Sequence, residues 1–260
     1  MWCRNVLVLV VVLMHQIAFA QTITLRFAYE VEEVFPYYMG SGEATPAAPG
    51  VTPDMLRLLE NEIPGLRVAL QRMPWKRCLV QLTDGAIDAV VGSFKADRLQ
   101  AGAFPMKDGR PDPALAIDVR AFYLYKAGDS ALSWNGRQLT GLTGPIGAPL
   151  GYAIVDDLQK MGASVAQSRS SATDFQKLAL GRLAAVAAFE RVGDFHLRKA
   201  RPGAVLRLGT VLATKEYYLI LSHQFVQRHP ALAPALWRAL ARIRERQADA
   251  LFLKYLEQHQ

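Results

Sequence analysis

The stretch PWKRCLVQLTDGAIDAVVGSFKADR, Pro74 to Arg98, reads as one helix, one tight turn, one buried strand and a polar loop. Trp75, Cys78, Leu79 and Leu82 fall at i, i+3, i+4 and i+7, which is one apolar face, while Lys76, Arg77 and Gln81 look outward. Asp84-Gly85 stops the helix, because glycine just past the last turn takes the left-handed conformation that satisfies the final carbonyls. Ile87 to Val91 then form an apolar run of strand length, broken only by Asp88. A strand buried on both faces and entered from a helix marks a parallel α/β sheet, which binds ligands beyond the carboxyl ends of its strands. Gly92, Ser93, Phe94 and Arg98 sit at that end.

The same unit returns. From Lys177, KLALGRLAAVAAFER lies without gaps on QLTDGAIDAVVGSFK from Gln81, with Gly181 on Gly85, Ala185 on Ala89 and Val186 on Val90. Phe189 and Glu190 then match Ser93 and Phe94. Two copies of helix, glycine and strand predict two similar lobes, each presenting a strand end to a shared cleft.

Residues 1–20 carry one charge, Arg4, an apolar core from Val6 to Met14 and a small-residue Ala18-Phe19-Ala20 site, so they read as a secretory signal peptide whose removal leaves Gln21 first. The apolar run is short of the roughly 20 residues that span a bilayer, and no later segment is apolar enough to do so. Export to the periplasm as a soluble protein is therefore expected. Loss of Arg4 takes the formal charge from +7 to +6 and leaves Cys78 as the sole cysteine, on an apolar helix face where it reads as a buried inert thiol with no disulfide framework. Arg238, Arg242, Arg244 and Arg246 cluster near the end and read as one face of a helix, not a nucleic-acid patch.

After a first strand over Thr22 to Tyr29, Glu30 to Gly50 is a loop at the strand's carboxyl end. Its Phe35, Tyr37 and Tyr38 either pack on their own scaffold or stack on a ligand, and Glu30 is its candidate ligand-facing charge. Thr52 is expected to cap a helix with Pro53 at its first position, burying Met55, Leu58, Leu59 and Ile63. Arg67 to Met73 reads as the second strand and Leu115 to Tyr125 as a long one, with the first crossing between lobes over Ala127 to Gly136. A glycine-rich turn, TGLTGPIGAPLG, precedes a helix from about Tyr152 to Met161, a strand around Val165 and a helix capped by Thr173. Val205–Val211 and Tyr217–Ser222 read as returning strands, and Pro230–Glu257 as a helical tail packed on the first lobe. The expected division is 21–127 and 213–260 in the first lobe and 128–212 in the second.

In order and spacing these features resemble the type II periplasmic solute-binding proteins, family 3, the group of polar amino-acid binders. The resemblance spans the mature chain. It rests on AYEVEEVFPYY from Ala28, GVTPDML from Gly50, W-x-R-x-L-x-x-L-x-x-G-x-x-D-A from Trp75, Arg98 closing S-x-x-x-x-R from Ser93, the glycine turn, and L-x-x-G-R from Leu178. It implies a two-lobe α/β fold in which each lobe is a mixed, mainly parallel sheet flanked by helices. Two hinge crossings join the lobes, which close over a small ligand for an ATP-driven permease. It further implies that Arg98 clamps a ligand carboxylate, a role suited to the bidentate guanidinium fork, with Ser93 as an added donor. A surface ion pair of Arg98 with Asp97 or Asp108 is the competing reading. The family's second-lobe acid aligns with Phe189, leaving the neighbouring Glu190, or Glu30 in the first lobe, as counter-charge for an amine. Where the family often has hydroxyl residues after the turn glycine, this chain has Gly147-Ala148-Pro149-Leu150-Gly151-Tyr152, which lacks a hydroxyl and one N–H and puts an ordinary α-amino acid in question. Trp75 is either core or ligand wall.

The chain contains no H-E-x-x-H, G-x-S-x-G, P-loop or cysteine pair, and the histidines after residue 20 lie in its last quarter without ligand spacing. The expectation is therefore a non-enzymatic, monomeric binding protein without cofactor or metal. It captures a small polar, carboxylate-bearing solute through Glu30, Phe35, Tyr37, Trp75, Ser93, Phe94, Arg98, Gly151 and Glu190. The alternatives are a ligand sensor for a membrane receptor and a dehydratase-like enzyme using Glu30 and Glu190 as cleft carboxylates.

Overall fold

The computed structural model describes residues 22–257, so the expected signal peptide lies outside the described residues. Strand β1 (Ile23–Tyr29) leads into an irregular loop, and a helical segment follows as α1 (Val51–Arg57) and α2 (Leu59–Glu62). Gly50 caps α1, not Thr52. Thr52 is buried and its hydroxyl accepts from Arg120 Nη2 at 3.4 Å. Gly50 holds φ +115°, and a Cβ there would run into the Tyr37 carbonyl. Gly50→Ala is accordingly expected to cost more than about 1 kcal/mol; an unchanged urea midpoint would show that the loop yields freely.

β2 (Leu66–Arg72), α3 (Trp75–Thr83) and β3 (Ala89–Ser93) complete the first parallel set, with β1 hydrogen-bonded between β2 and β3. Cys78 and Leu82 of α3 are fully buried, as the apolar spacing predicts. Asp88, the one charge in the apolar run, sits just before β3. Its carboxylate accepts from Arg26 Nε and Nη2, both at 2.8 Å, from the Arg26 backbone N–H at 2.9 Å, and from Arg228 Nη2 at 2.9 Å. Burial pushes this carboxyl up, but the Arg26 hydrogen bonds and the two positive charges outweigh it and leave it below the usual range.

The chain continues through the small hairpin β4 (Met106–Lys107) and β5 (Arg110–Pro111) to the long strand β6 (Asp118–Ala127). A 3-10 turn at Pro113–Leu115 delays the start of β6 relative to the expected Leu115. A second hairpin, β7 (Ser133–Trp134) and β8 (Leu139–Thr140), fills the segment after β6, where a crossing was expected. Then come β9 (Ile146–Pro149), α4 (Ala153–Lys160), β10 (Val165–Ser168), α5 (Ser171–Ala179), β11 (Ala185–Phe189), α6 (Glu190–Lys199) and β12 (Val205–Arg207). Ser170 rather than Thr173 caps α5, its Oγ accepting from the Thr173 N–H at 3.2 Å. The chain ends with β13 (Ala213–Leu221), α7 (His223–Arg228) and α8 (Leu232–Glu257).

One curled sheet runs β10-β9-β11-β6-β13-β3-β1-β2. Its two ends are parallel, and its middle is antiparallel through β6 and β13. β6 pairs with β13 over Asp118–Phe122 and with β11 over Phe122–Lys126. The change of partner from β13 to β11 thus falls inside β6. The repeat is visible in space: α3, Gly85 (φ +71°) and β3 match α5, Gly181 (φ +67°) and β11, each glycine stopping its helix in the left-handed region. The copies diverge after the strand, where a 3-10 turn (Ala96–Leu99) follows β3 and α6 follows β11 directly. The tail helix α8 packs on α1 and α2. Arg242 and Arg246 reach Glu62, while Lys254 and Tyr255 reach Asp54, so part of the basic cluster ties the tail down.

Candidate functional site

The carboxyl ends of β1 and β3, the start of α3 and the turn before α4 meet in one cleft. Glu30 follows β1 directly, Ser93 ends β3, and Arg98 swings back from the 3-10 turn. Arg98 Nη1 donates to the Ser93 carbonyl at 2.6 Å and to Ser93 Oγ at 3.1 Å, and its guanidinium lies 5.3 Å from the centre of the Trp75 ring. Its Nη2 crosses the cleft to the Gly151 carbonyl at 3.0 Å. The next residue, Tyr152, crosses too: its hydroxyl donates to Glu30 Oε2 at 2.7 Å. Two ion pairs, Lys95 to Asp156 at 2.8 Å and Lys215 to Asp157 at 2.5 Å, hold α4 against the opposite side.

The inner part of this cleft is walled by Arg98, Arg120, Tyr29, Tyr38, Tyr152 and Tyr217, with Val91 and Gly92 of β3 at its side. An outer cavity of about 240 Å³ shares Glu30 and Trp75 with it and adds Glu32, Lys76, Leu150 and Arg169. Burial pushes the Glu30 carboxyl up to about 7; the bond from Tyr152 and the charge of Arg120 only partly oppose that. Arg98 is almost fully buried, and desolvation lowers its pKa, while nearby Tyr217 and Asp97 raise it. Arg120 rises from the hinge part of β6 and is 2 % exposed. Its Nε donates to Asp118 Oδ2 at 2.8 Å and its guanidinium lies 3.8 Å and 4.1 Å from the ring centres of Tyr37 and Tyr217. Desolvation alone would lower its pKa, yet Asp118 and the surrounding phenols carry it above the ordinary value.

Of the residues picked out in the sequence, Glu30, Trp75, Ser93 and Arg98 come together in the inner pocket, and Gly151 joins them through its carbonyl. The others sit elsewhere. Phe35 stacks on Phe195 at 4.3 Å and Tyr37 packs edge-on against Phe189 and Phe252, so this part of the loop is core, with Tyr38 alone of the three at the pocket wall. Phe94 faces the opposite way, against Phe104 at 5.3 Å. Glu190 opens α6 and pairs with Arg207 at 2.9 Å, away from the cleft; the one-residue offset from Phe189 turns it outward, and the helix fixes it there. Arg98 has no ion pair with Asp97 or Asp108 among the described residues; Asp97 pairs with Lys95.

Arg120, Tyr152 and Tyr217 line the pocket without standing out in the sequence. For Arg120 a signal existed: it shares the inward face of an alternating strand with Phe122 and Leu124, where a cation is out of place. For Tyr152 and Tyr217 there was none, since their place depends on how two distant segments meet.

No protein-family model matches the chain, and no curated protein matches it. Solved structures do. The ligand-binding core of GluR0 from Nostoc punctiforme, in complex with L-glutamate, superposes with a TM-score of 0.67 at 18% identity, covering 90% of this chain and 99% of that one. A histidine kinase sensor domain with similarity to periplasmic binding proteins gives 0.68 at 15% identity over 90% and 96%. The ancestral amino acid-binding protein AncCDT-1, a precursor of cyclohexadienyl dehydratase, gives 0.65 at 17% identity over 89% and 94%. The fold is that of a type II periplasmic binding protein. Its two-lobe, two-crossing plan explains why the cleft residues come from both halves of the sequence. β6 and β13 form the antiparallel middle of the sheet, and Arg120 stands on β6 beside the pocket. Among the described residues no helix is long and apolar enough to cross a membrane, and no cluster of three or more His, Cys, Asp or Glu side chains could hold a metal ion.

Proposed function

We propose that the chain is an exported solute-binding protein that traps a small polar, carboxylate-bearing solute by closure of its lobes and presents it to a membrane partner, an ABC-type permease. The observation that carries this is the buried guanidinium of Arg98, placed at the cleft's inner wall and reaching a lobe-two carbonyl at 3.0 Å. In this reading a ligand carboxylate takes the place of that carbonyl, Ser93 supplies a further donor, and Glu30 balances the charge. In the same reading the chain divides into lobes near 21–127, 128–212 and 213–260, and β6, whose partner changes at Phe122, bends with β13 as the hinge.

Two other readings share the fold. A solute-triggered sensor uses the same capture step and differs only in the membrane partner, as the likeness to a kinase sensor domain suggests. An enzyme of the dehydratase type would use the raised Glu30 as an acid, but Glu190 does not stand opposite it, which leaves the inner pocket with one carboxylate.

The test is a thermal-shift panel of amino acids, other small carboxylates, polyamines and sugars on the chain from Gln21 onward. A ligand at 100 times its Kd stabilises by about 2.7 kcal/mol, which is several degrees. Arg98→Ala is expected to weaken any carboxylate hit at least about thirtyfold, since it removes the charged partner in a desolvated site. A hit of unchanged affinity in the variant would remove Arg98 from the binding role, and turnover of the hit would favour the enzyme.

A further inference from the structure

Volume places most of a solute outside the inner pocket. That pocket has a cavity of only about 10 Å³, roughly the room of one water-sized group, whereas the outer cavity holds about 240 Å³. A carboxylate that displaces the Gly151 carbonyl from Arg98 therefore leaves the rest of its molecule in the outer cavity, against Pro74, Trp75 and Leu150. Two cations stand on that cavity's wall, one from each parallel end of the sheet: Lys76 at the start of α3, and Arg169 directly after β10. The stem of Lys76 lies along the turn before α4, where a Cβ on Gly151 would sit 3.7 Å from its Cγ and Cε. Neither Lys76 nor Arg169 has a side-chain ion pair or hydrogen bond among the described residues. The other lysines that reach across the cleft are neutralised, Lys95 by Asp156 and Lys215 by Asp157. Glu32 is the one further acid on the outer wall and offsets one of the two cations, not both. Glu30 accepts from Tyr152 through Oε2, which leaves its other oxygen for an amine. Like charges brought to one cavity from opposite sides oppose closure, and an anion between them reverses the sign.

We infer that the outer cavity is a second anion subsite and the solute a short diacid, with one carboxylate on Arg98 and a second acidic group between Lys76 and Arg169. An amine is accommodated by the free oxygen of Glu30 but is not required. The start of α3, where Pro74 supplies no side-chain cap, adds the positive end of the helix on the same side. Because the two cations come from opposite sides of the cleft, the second acid also ties the closed lobes together.

This rests on the solute-binding reading above, and its test separates the two. Affinities are measured by calorimetry for four pairs of like shape in which one acid is replaced by its amide: aspartate with asparagine, glutamate with glutamine, succinate with succinamate, and glutarate with glutaramate. The wild-type chain is compared with the double variant Lys76→Met, Arg169→Met. Methionine keeps an unbranched apolar stem, and both positions are exposed, so the fold is not at stake. In the pair that binds, the diacid is expected to win by about tenfold, roughly threefold from each cation at the exposed rim, and the double variant to remove most of that preference. An amide that binds as well as its diacid in the wild type overturns the inference and leaves a solute-binding protein standing. So does a preference that the double variant leaves unchanged. If none of the eight binds, the inference falls; if the wider panel also gives no ligand, the solute-binding reading falls with it.

Discussion

Asp118→Asn should destabilise the protein by about 3–5 kcal/mol, because it leaves the Arg120 guanidinium buried without its counter-charge. The side chain of Arg120 is 1 % exposed, and its Nε–Asp118 contact is its only ion pair among the described residues. The rings of Tyr37, Phe189 and Tyr217 around it help a cation but do not neutralise it. Asparagine keeps the acceptor that Asp118 Oδ1 offers to the Val119 N–H at 2.8 Å, so the substitution isolates the charge. The double variant Asp118→Asn with Arg120→Met should recover most of the loss, since an apolar side chain of similar length removes the need for a partner. Urea denaturation of the three proteins decides it. A loss in Asp118→Asn no larger than the ±0.5 kcal/mol typical of surface changes would mean that Arg120 is solvated. Because Arg120 lines the inner pocket, the same variant should also weaken ligand binding.

Glu30→Gln should abolish a pH dependence of stability that Glu30 produces in the wild type. Its folded pKa of about 7 stands above the ordinary 4.5. Between those values the folded state holds a proton that the unfolded state releases. Its contribution to stability is fully present below pH 4.5 and is lost as pH rises through 7. By pH 8 the loss amounts to about 3 kcal/mol. Glutamine cannot ionise, yet its carbonyl still accepts from the Tyr152 hydroxyl, so the variant should be the more stable protein at pH 8 and should match the wild type near pH 4.5. Urea midpoints of both proteins at pH 5 and pH 8 give the difference with every other titrating group in common. Parallel pH slopes would show that Glu30 is ionised and solvated throughout.

Much of the fold was legible because it rests on local chemistry. The apolar spacing of α3, the glycines at Gly85 and Gly181, and the runs of β3 and β11 each depend on a few neighbouring residues; the helices and glycines appear where expected, while β3 is Ala89–Ser93, starting two residues into the apolar run from Ile87. The gapless offset between the two copies holds in space for the same reason. The errors of detail lie where two local signals compete. Thr52 looks like a cap, but Gly50 takes the backbone turn and Thr52 is drawn inward to Arg120. Thr173 looks like a cap, but Ser170 is three residues nearer the true start and binds its N–H.

Apart from Gly151, the residues picked out in the sequence that meet in the cleft all come from the first half of the chain. Glu30, Trp75, Ser93 and Arg98 follow strands or open a helix, so a parallel sheet sends them to one edge without knowledge of the rest. Phe35 and Tyr37 carry the same loop signature as a ligand wall, and only the packing of Phe195, Phe189 and Phe252 against them shows that they are core.

The sequence by itself determined the two repeated units, the glycine turns that stop their helices, and the strand ends that furnish the Arg98 wall, because each follows from periodicity and backbone preference within a short window. Only the tertiary structure decided that Arg120 enters the hinge with Asp118 for its charge, that Glu190 turns outward to Arg207, and that Tyr152 crosses 122 residues of chain to occupy Glu30. These are contacts between segments whose separation in sequence carries no trace of their approach in space. They are fixed by the way β6 and β13 join the two parallel ends of one curled sheet around a single cleft.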